Sequence, residues 1–276
     1  MKIRFQKMNG AGNDFVCIDN LKGHIKLTKK QIAKLCNRQQ GAGADGLLLL
    51  EQDLRNKADF RMRYFNADGG EAEMCGNGAR CFARFARQVA KWRKQYMIFR
   101  TKAGLIQAVF IGEDVRITLT SPQDIRLHIP LPLRQGNVEA HALNTGVPHV
   151  VLFGQDIIKA KVKEMGVEIR YHEFFAPKGT NVNFVQLLKP GHIRIRTYER
   201  GVEDETLACG TGMVASAIAS FLVHGFDPPI KVHVQGGDIL EVDFTIARDD
   251  KTDTFVFNEV TLEGPATFTY QGEIYV

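Results

Sequence analysis

Three stretches of this chain occur twice, in the same order and at nearly the same separation. "MNGAGNDFVCID" from residue 8 is echoed by "LNTGVPHVVLFG" from 143. "RMRYFNADGGEAEMCGNGARCFA" from 61 is echoed by "RIRTYERGVEDETLACGTGMVASA" from 194, and "TKAGLIQAVF" from 101 by "VQGGDILEVDF" from 234. The spacing is 133 to 135 residues throughout. A repeat read this early decides the fold, and 276 residues suit two domains of ordinary size. The chain has to build one architecture twice.

Both halves carry the same local pattern. Arg61–Phe65 and His192–Arg196 alternate in type with period two, as half-buried strands do. A turn rich in glycine and acidic residues follows, then Cys-Gly-x-Gly. Apolar residues at helical spacing come next in "ARCFARFARQVAKW" and "MVASAIASFLVHG", and Gly-containing strands follow. A separate helix is predicted over 28–38 with Thr28 as its N-cap, and another over 155–165. Strands outnumber helices, so the expected class is α+β. It would comprise two pseudo-symmetric domains, each a twisted, mostly antiparallel sheet wrapped around a main helix, with the active site in the cleft between them. The expected domains are 1–120 and 121–264, divided near "TSPQD". The final strand, "FTYQGEIYV", follows Gly264-Pro265 and is expected to return to the first domain, adding 265–276 to it.

Composition excludes more than it selects. The longest purely apolar run is "LLLL" at 47–50, far short of a membrane span. The N-terminal residues lack the apolar core of a secretory signal. Five cysteines, an odd number, fit free thiols in a reducing cytoplasm. The net charge of +5 is small, and "RFARQVAKWRKQ" reads as a solvated helix end. With a single Trp there is no series of stacking platforms, so no nucleic-acid partner is expected.

The cysteines divide by context. Cys17 in "DFVCIDN" and Cys36 in "IAKLC" read as core residues. Cys81 points roughly 240° around the helix from Cys75, which argues against a clip between them. There is no C-x-x-C and no H-x-x-x-H, so no metal site is expected. Cys75 and Cys209 instead precede helices, where unpaired N–H groups and the positive end of the dipole lower a thiol pKa. The glycine that follows lets backbone N–H groups approach an anion. Two domains related by a pseudo-twofold would present both thiols to one ligand. That suits inversion of a carbon centre, which needs a base on one face and an acid on the other. The pattern demands no electron-sink cofactor. A redox switch joining the two thiols and a small-anion binding module are rival readings. Gly41-Ala42-Gly43-Ala44-Asp45-Gly46 satisfies G-x-G-x-x-G, but a helix precedes it and a strand follows. The order is reversed for a dinucleotide site.

"MNGAGNDFVCID", "FNADGGEAEMCGNGARCF", "TNVNF" and "YERGVEDETLACGTG" together resemble the diaminopimelate epimerase family over essentially the whole chain. The resemblance implies an isomerase interconverting LL- and meso-2,6-diaminopimelate for lysine and peptidoglycan synthesis. Such an enzyme works without pyridoxal phosphate, normally as a cytoplasmic homodimer. It implies Cys75 and Cys209 as proton donor and acceptor. Asn13, Asn66, Asn181 and Glu199-Arg200 would line the substrate site, and Gly76-Asn77 and Gly210-Thr211 would give backbone contacts. His149 and Glu199 would tune the thiols. Two departures stand out: Val147 where many members have Asn, and Gly46 where some have Gln. They leave open a related cofactor-independent racemase acting on another amino acid, proline- or histidine-racemase-like.

Overall fold

The computed structural model describes residues 1–55, 57–249 and 254–276. The chain forms two compact units, Met1–Thr118 with Glu263–Val276, and Leu119–Leu262. In chain order the first contains β1 (Lys2–Gly10), β2 (Asn13–Asp19), α1 (Lys29–Cys36), β3 (Gly46–Glu51) and β4 (Phe60–Asn66). It continues with β5 (Glu71–Ala72), α2 (Gly76–Val89), β6 (Tyr96–Arg100), β7 (Leu105–Ile111) and β8 (Asp114–Thr118). There follow β9 (Gln123–Leu133), β10 (Gly136–Asn144), β11 (Pro148–Phe153), α3 (Val162–Arg170), β12 (Asn181–Lys189), β13 (His192–Glu199) and β14 (Asp204–Thr206). Then come α4 (Gly210–His224), β15 (Ile230–His233), β16 (Ile239–Asp249), β17 (Thr254–Pro265) and β18 (Thr267–Tyr275).

Strand pairing repeats as the sequence does. In the first unit β1–β2 is antiparallel, β2–β3 parallel, β3–β4 antiparallel, β4–β6 parallel and β6–β7 antiparallel. In the second, β10–β11, β11–β12, β12–β13, β13–β15 and β15–β16 follow the same order and sense. β18 lies antiparallel on β1, where the second unit has β9 on β10. Each unit is thus a mostly antiparallel α+β sheet with two parallel pairs. A parallel pair needs a crossover, and the helices supply them: α1 and α2 in the first unit, α3 and α4 in the second.

The helices explain the burial. "GLLLLE" is apolar throughout because β3 is covered on both faces. Leu47 and Leu49 pack with Ile32 and Leu35 of α1, while α2 contacts the same strand. Thr28 caps α1 in a capping box with Gln31. In α4 every residue from Gly212 to Ser220 is buried. Its two serines are accommodated there by donating back, Ser216 Oγ to Gly212 O at 2.7 Å and Ser220 Oγ to Ser216 O at 2.8 Å. The helix expected over 155–165 is instead a short 3₁₀ turn at Ile157–Lys159 and then α3, which runs on through Gly166. Gly166 is a contact residue, not a stop: a Cβ there would lie 2.5 Å from the Tyr198 ring, so its absence lets α3 sit close on β13. Among the described residues no helix is long and apolar enough to cross a membrane.

Candidate active site

Cys75 is the N-cap residue of α2 and Cys209 that of α4, both with extended backbone. Neither side chain caps its own helix. Cys75 is half-buried and Cys209 is 7% exposed. Cysteine is a poor cap, since Ser, Thr, Asp or Asn would satisfy an N–H there. Neither thiol supplies the acceptor that a conventional cap side chain offers the first turn.

In the first unit the residue two beyond the thiol, Asn77, is buried and tied back to β2. Its Nδ2 donates to Asn13 Oδ1 at 2.7 Å, and Asn13 Nδ2 donates to Asp45 Oδ2 at 3.1 Å. From inside α2 the fully buried Arg80 donates to Asn77 Oδ1 at 3.0 Å and to Gly10 O at 3.2 Å. Arg38 closes the circuit with two 2.9 Å bonds to the Asp14 carboxylate and one of 2.8 Å to Asp45. Burial pushes the Asp14 carboxyl up, but Arg38 and Lys7 outweigh it and hold it down at about 2. The surroundings of this helix start are charged and stay so across the physiological range.

The second unit repeats the circuit in different chemistry. The residue two beyond the thiol, Thr211, has its Oγ1 3.7 Å from Cys209 Sγ and 2.8 Å from His149 Nε2. His149 is the second residue of β11, and its Nδ1 lies 3.1 Å from Asn183 Nδ2. Burial first, and then the charge of Arg200, lower the His149 pKa to about 3, so the ring is neutral at neutral pH. Gly212 fits under this network only because it has no side chain: a Cβ would stand 2.4 Å from Asn183 Oδ1.

The remaining expected residues fall at the strand ends. Asn181 Nδ2 donates to Pro148 O at 2.9 Å, and its Oδ1 accepts the Arg200 N–H at 2.8 Å. Glu199 ends β13 opposite Asp204. Asn66 ends β4, exposed, in register with Gly46. Gly46 is fixed by packing, since a Cβ would lie 2.6 Å from Phe65 O and 2.7 Å from the Tyr64 ring. Val147 sits half-buried in the turn between β10 and β11. Cys17, Cys36 and Cys81 are buried, and burial pushes Cys36 and Cys81 up to about 12 and Cys17 well above an ordinary thiol. They are packing residues. Gly41 to Asp45 lie in the loop from α1 into β3, which Gly46 begins.

Asn183, Arg80 and Asp45 are site residues that sequence reasoning passed over. A signal existed for Asn183, which shares a strand face with Asn181 in an otherwise apolar stretch. Arg80 gives no such signal, since Arg84 and Arg87 follow it at i+4 and i+7 and nothing in the sequence marks it as the buried one of the three.

The model of the family described as "Diaminopimelate epimerase" matches residues 5–122 and 141–266. A protein of Hydrogenobaculum sp. named "Diaminopimelate epimerase" is 41% identical, covering 96% of each chain. One of the same name from Chlorobaculum tepidum is 42% identical over 97% of this chain and 99% of its own. In backbone the chain is similar to a Bacillus anthracis phenazine biosynthesis protein of the PhzF family, with a TM-score of 0.75 at 15% identity over the full length of both. A repeated unit with a glycine-flanked cysteine at each main helix start, and a sequence match along nearly the whole chain, place this protein in the diaminopimelate epimerase family.

Proposed function

We propose that the chain interconverts LL- and meso-2,6-diaminopimelate by a two-base exchange at one α-carbon, with Cys75 and Cys209 as the acid and base. The observation that carries this reading is the pair of matched helix starts, each with a thiol in place of a conventional cap and a glycine beside it. One thiolate takes the α-proton, and the C–H electron pair stays on carbon, delocalised into the carboxylate. The other thiol gives its proton to the opposite face, so turnover leaves the two sulfurs with exchanged protonation. N–H groups at Gly76-Asn77 and Gly210-Thr211 would hold the α-carboxylate and the charge that builds on it. The route needs no pyridoxal phosphate.

Asn13 and Asn181 each keep a second amide N–H and a second lone pair beyond the bonds described above, which is what polar substrate groups require. Asn66 and the Glu199-Arg200 pair complete the proposed lining, Arg200 as a carboxylate clamp. Glu199 would act on a thiol directly, and His149 would act on Cys209 through Thr211. In D₂O, LL-diaminopimelate should acquire one α-deuterium as the meso isomer appears. Cys75→Ala and Cys209→Ala should each abolish the interconversion with the fold unchanged. Retained LL isomer with no exchange sinks the assignment. Val147 supports one second reading, a racemase for a different amino acid, and the same assay over an amino-acid panel decides between them.

A further inference from the structure

The hydrogen bonds around Asn77 and Asn13 form one chain, from a guanidinium inside α2 to a carboxylate in the loop before β3. We propose that Arg80 and Asp45 are positioning residues for the epimerisation, which together fix the polarity of the Asn13 amide. This rests on the reading above that Asn13 meets substrate. A guanidinium only donates, so the Asn77 atom 3.0 Å from Arg80 Nη2 is its oxygen. The Asn77 nitrogen is thereby turned to Asn13 at 2.7 Å, and Asn13 answers with Oδ1. Asn13 Nδ2 is left for Asp45 Oδ2 at 3.1 Å, where a carboxylate accepts. An isolated amide can be turned over with little change of shape. A cation at one end and an anion at the other demand one setting of both amides.

Both ends are themselves anchored. Arg80 is fully buried, and two carbonyls hold it besides Asn77: Gly10 O at 3.2 Å from Nη2 and Pro265 O at 3.3 Å from Nε. Asp45 takes Arg38 on Oδ1 at 2.8 Å and the Asp14 N–H on Oδ2 at 3.2 Å. The second unit shows that the fold asks for neither. The fifth residue of α4, where α2 has Arg80, is Val214, and it is as completely buried. The residue before β12, where Asp45 precedes β3, is Thr180. Taking a guanidinium out of water is costly, and the repeat fills the same place with an apolar side chain. Packing does not require the charge; the amides do. Beyond these bonds Asn13 keeps one N–H and one lone pair, each in a fixed place. An α-amino acid carries a carboxylate that accepts and an ammonium that donates. A reversed Asn13 amide would meet each with the wrong group.

The test is a double-mutant cycle on LL-diaminopimelate turnover, with Arg80→Met and Asp45→Asn. The first brings in an apolar residue, as the repeat does, and the second keeps the shape. Either charged end holds the amides alone, so each single variant should lose less than about 10-fold in kcat/KM. The double variant should lose on the order of 10-fold more than the product of the two, mostly in KM, with the pH profile of kcat unmoved. Strict multiplication, or a single variant already as poor as the double, overturns the proposal. A displaced pH profile does so too, because the charges would then be acting on a thiol. Neutron diffraction from deuterated wild-type protein reads both amides without any variant, since nitrogen and oxygen scatter differently. Asn13 Nδ2 on the Asn77 side would refute the chain. Wild-type protein without turnover would count against the epimerase reading alone, while the neutron result judges the amides by themselves.

Discussion

The hydrogen bond between Asn183 Nδ2 and His149 Nδ1, 3.1 Å long, has a forced direction. Asn183 Nδ2 also lies 3.0 Å from Val150 O, which only accepts, while Asn183 Oδ1 takes the Thr197 hydroxyl at 3.0 Å. The amide cannot be turned over, so His149 Nδ1 is an acceptor and the neutral ring carries its proton on Nε2. That proton goes to Thr211 Oγ1, which leaves the Thr211 hydroxyl hydrogen for Cys209 Sγ. A hydroxyl donating to sulfur favours the thiolate.

Asn183→Asp should reverse this polarity, because a carboxylate there accepts from Nδ1–H and makes Nε2 an acceptor for the Thr211 hydroxyl. Turnover should drop on the order of 10–100-fold, with the alkaline shift in the pH profile expected of a less stabilised thiolate. Nitrogen NMR of His149 reports the tautomer directly. An unchanged Nε2–H signal in the variant would refute the relay.

The third positions of the two helix starts should respond unequally to a methyl group. At Gly212 it meets Asn183 Oδ1 at 2.4 Å, whereas at Gly78 its nearest neighbour is the edge of Phe15 at 3.3 Å. Gly212→Ala should cost about 1–3 kcal/mol from overpacking. For Gly78→Ala the roughly 1 kcal/mol helix preference for alanine offsets a milder contact. Denaturant unfolding of the pair measures the order, and equal costs would contradict it.

Acid should destabilise the protein in a window set by His149. Its folded pKa of about 3 lies below the unfolded 6.5, so the unfolded state binds the extra proton and stability falls as pH drops from 6.5 towards 3. By pH 4.5 this one ring costs roughly 2–3 kcal/mol. In His149→Gln the difference in unfolding free energy between pH 7 and 4.5 should shrink by that amount.

Thiol labelling should sort the five cysteines into two classes. The half-buried Cys75 should react first with a maleimide and Cys209 next, and diaminopimelate should slow both. Cys17, Cys36 and Cys81, sealed in the core with raised pKa values, should stay unmodified until unfolding. Peptide mapping by mass spectrometry assigns each adduct, and early loss of Cys81 would contradict the packing.

Much of the architecture is legible because it is written twice. The alternation at 61–65 and 192–196 and the helical spacing after each Cys-Gly-x-Gly mark the strand and helix that matter most. The course of α3 was not legible, because Gly166 serves a contact with Tyr198 that only the fold creates. The thiols and Asn13, Asn77, Thr211 and His149 stand out by motif. Their supporting residues do not, since Asp45, Arg80 and Asn183 gain meaning only from pairings across 32, 70 and 34 positions.

Duplication gave this chain two helix starts of one design and then let their wiring diverge. Beside Cys75 the supporting bonds end on carboxylates and guanidinium groups. Beside Cys209 they pass through an imidazole that stays uncharged. Two unlike supports let selection adjust one helix start without redrawing the other.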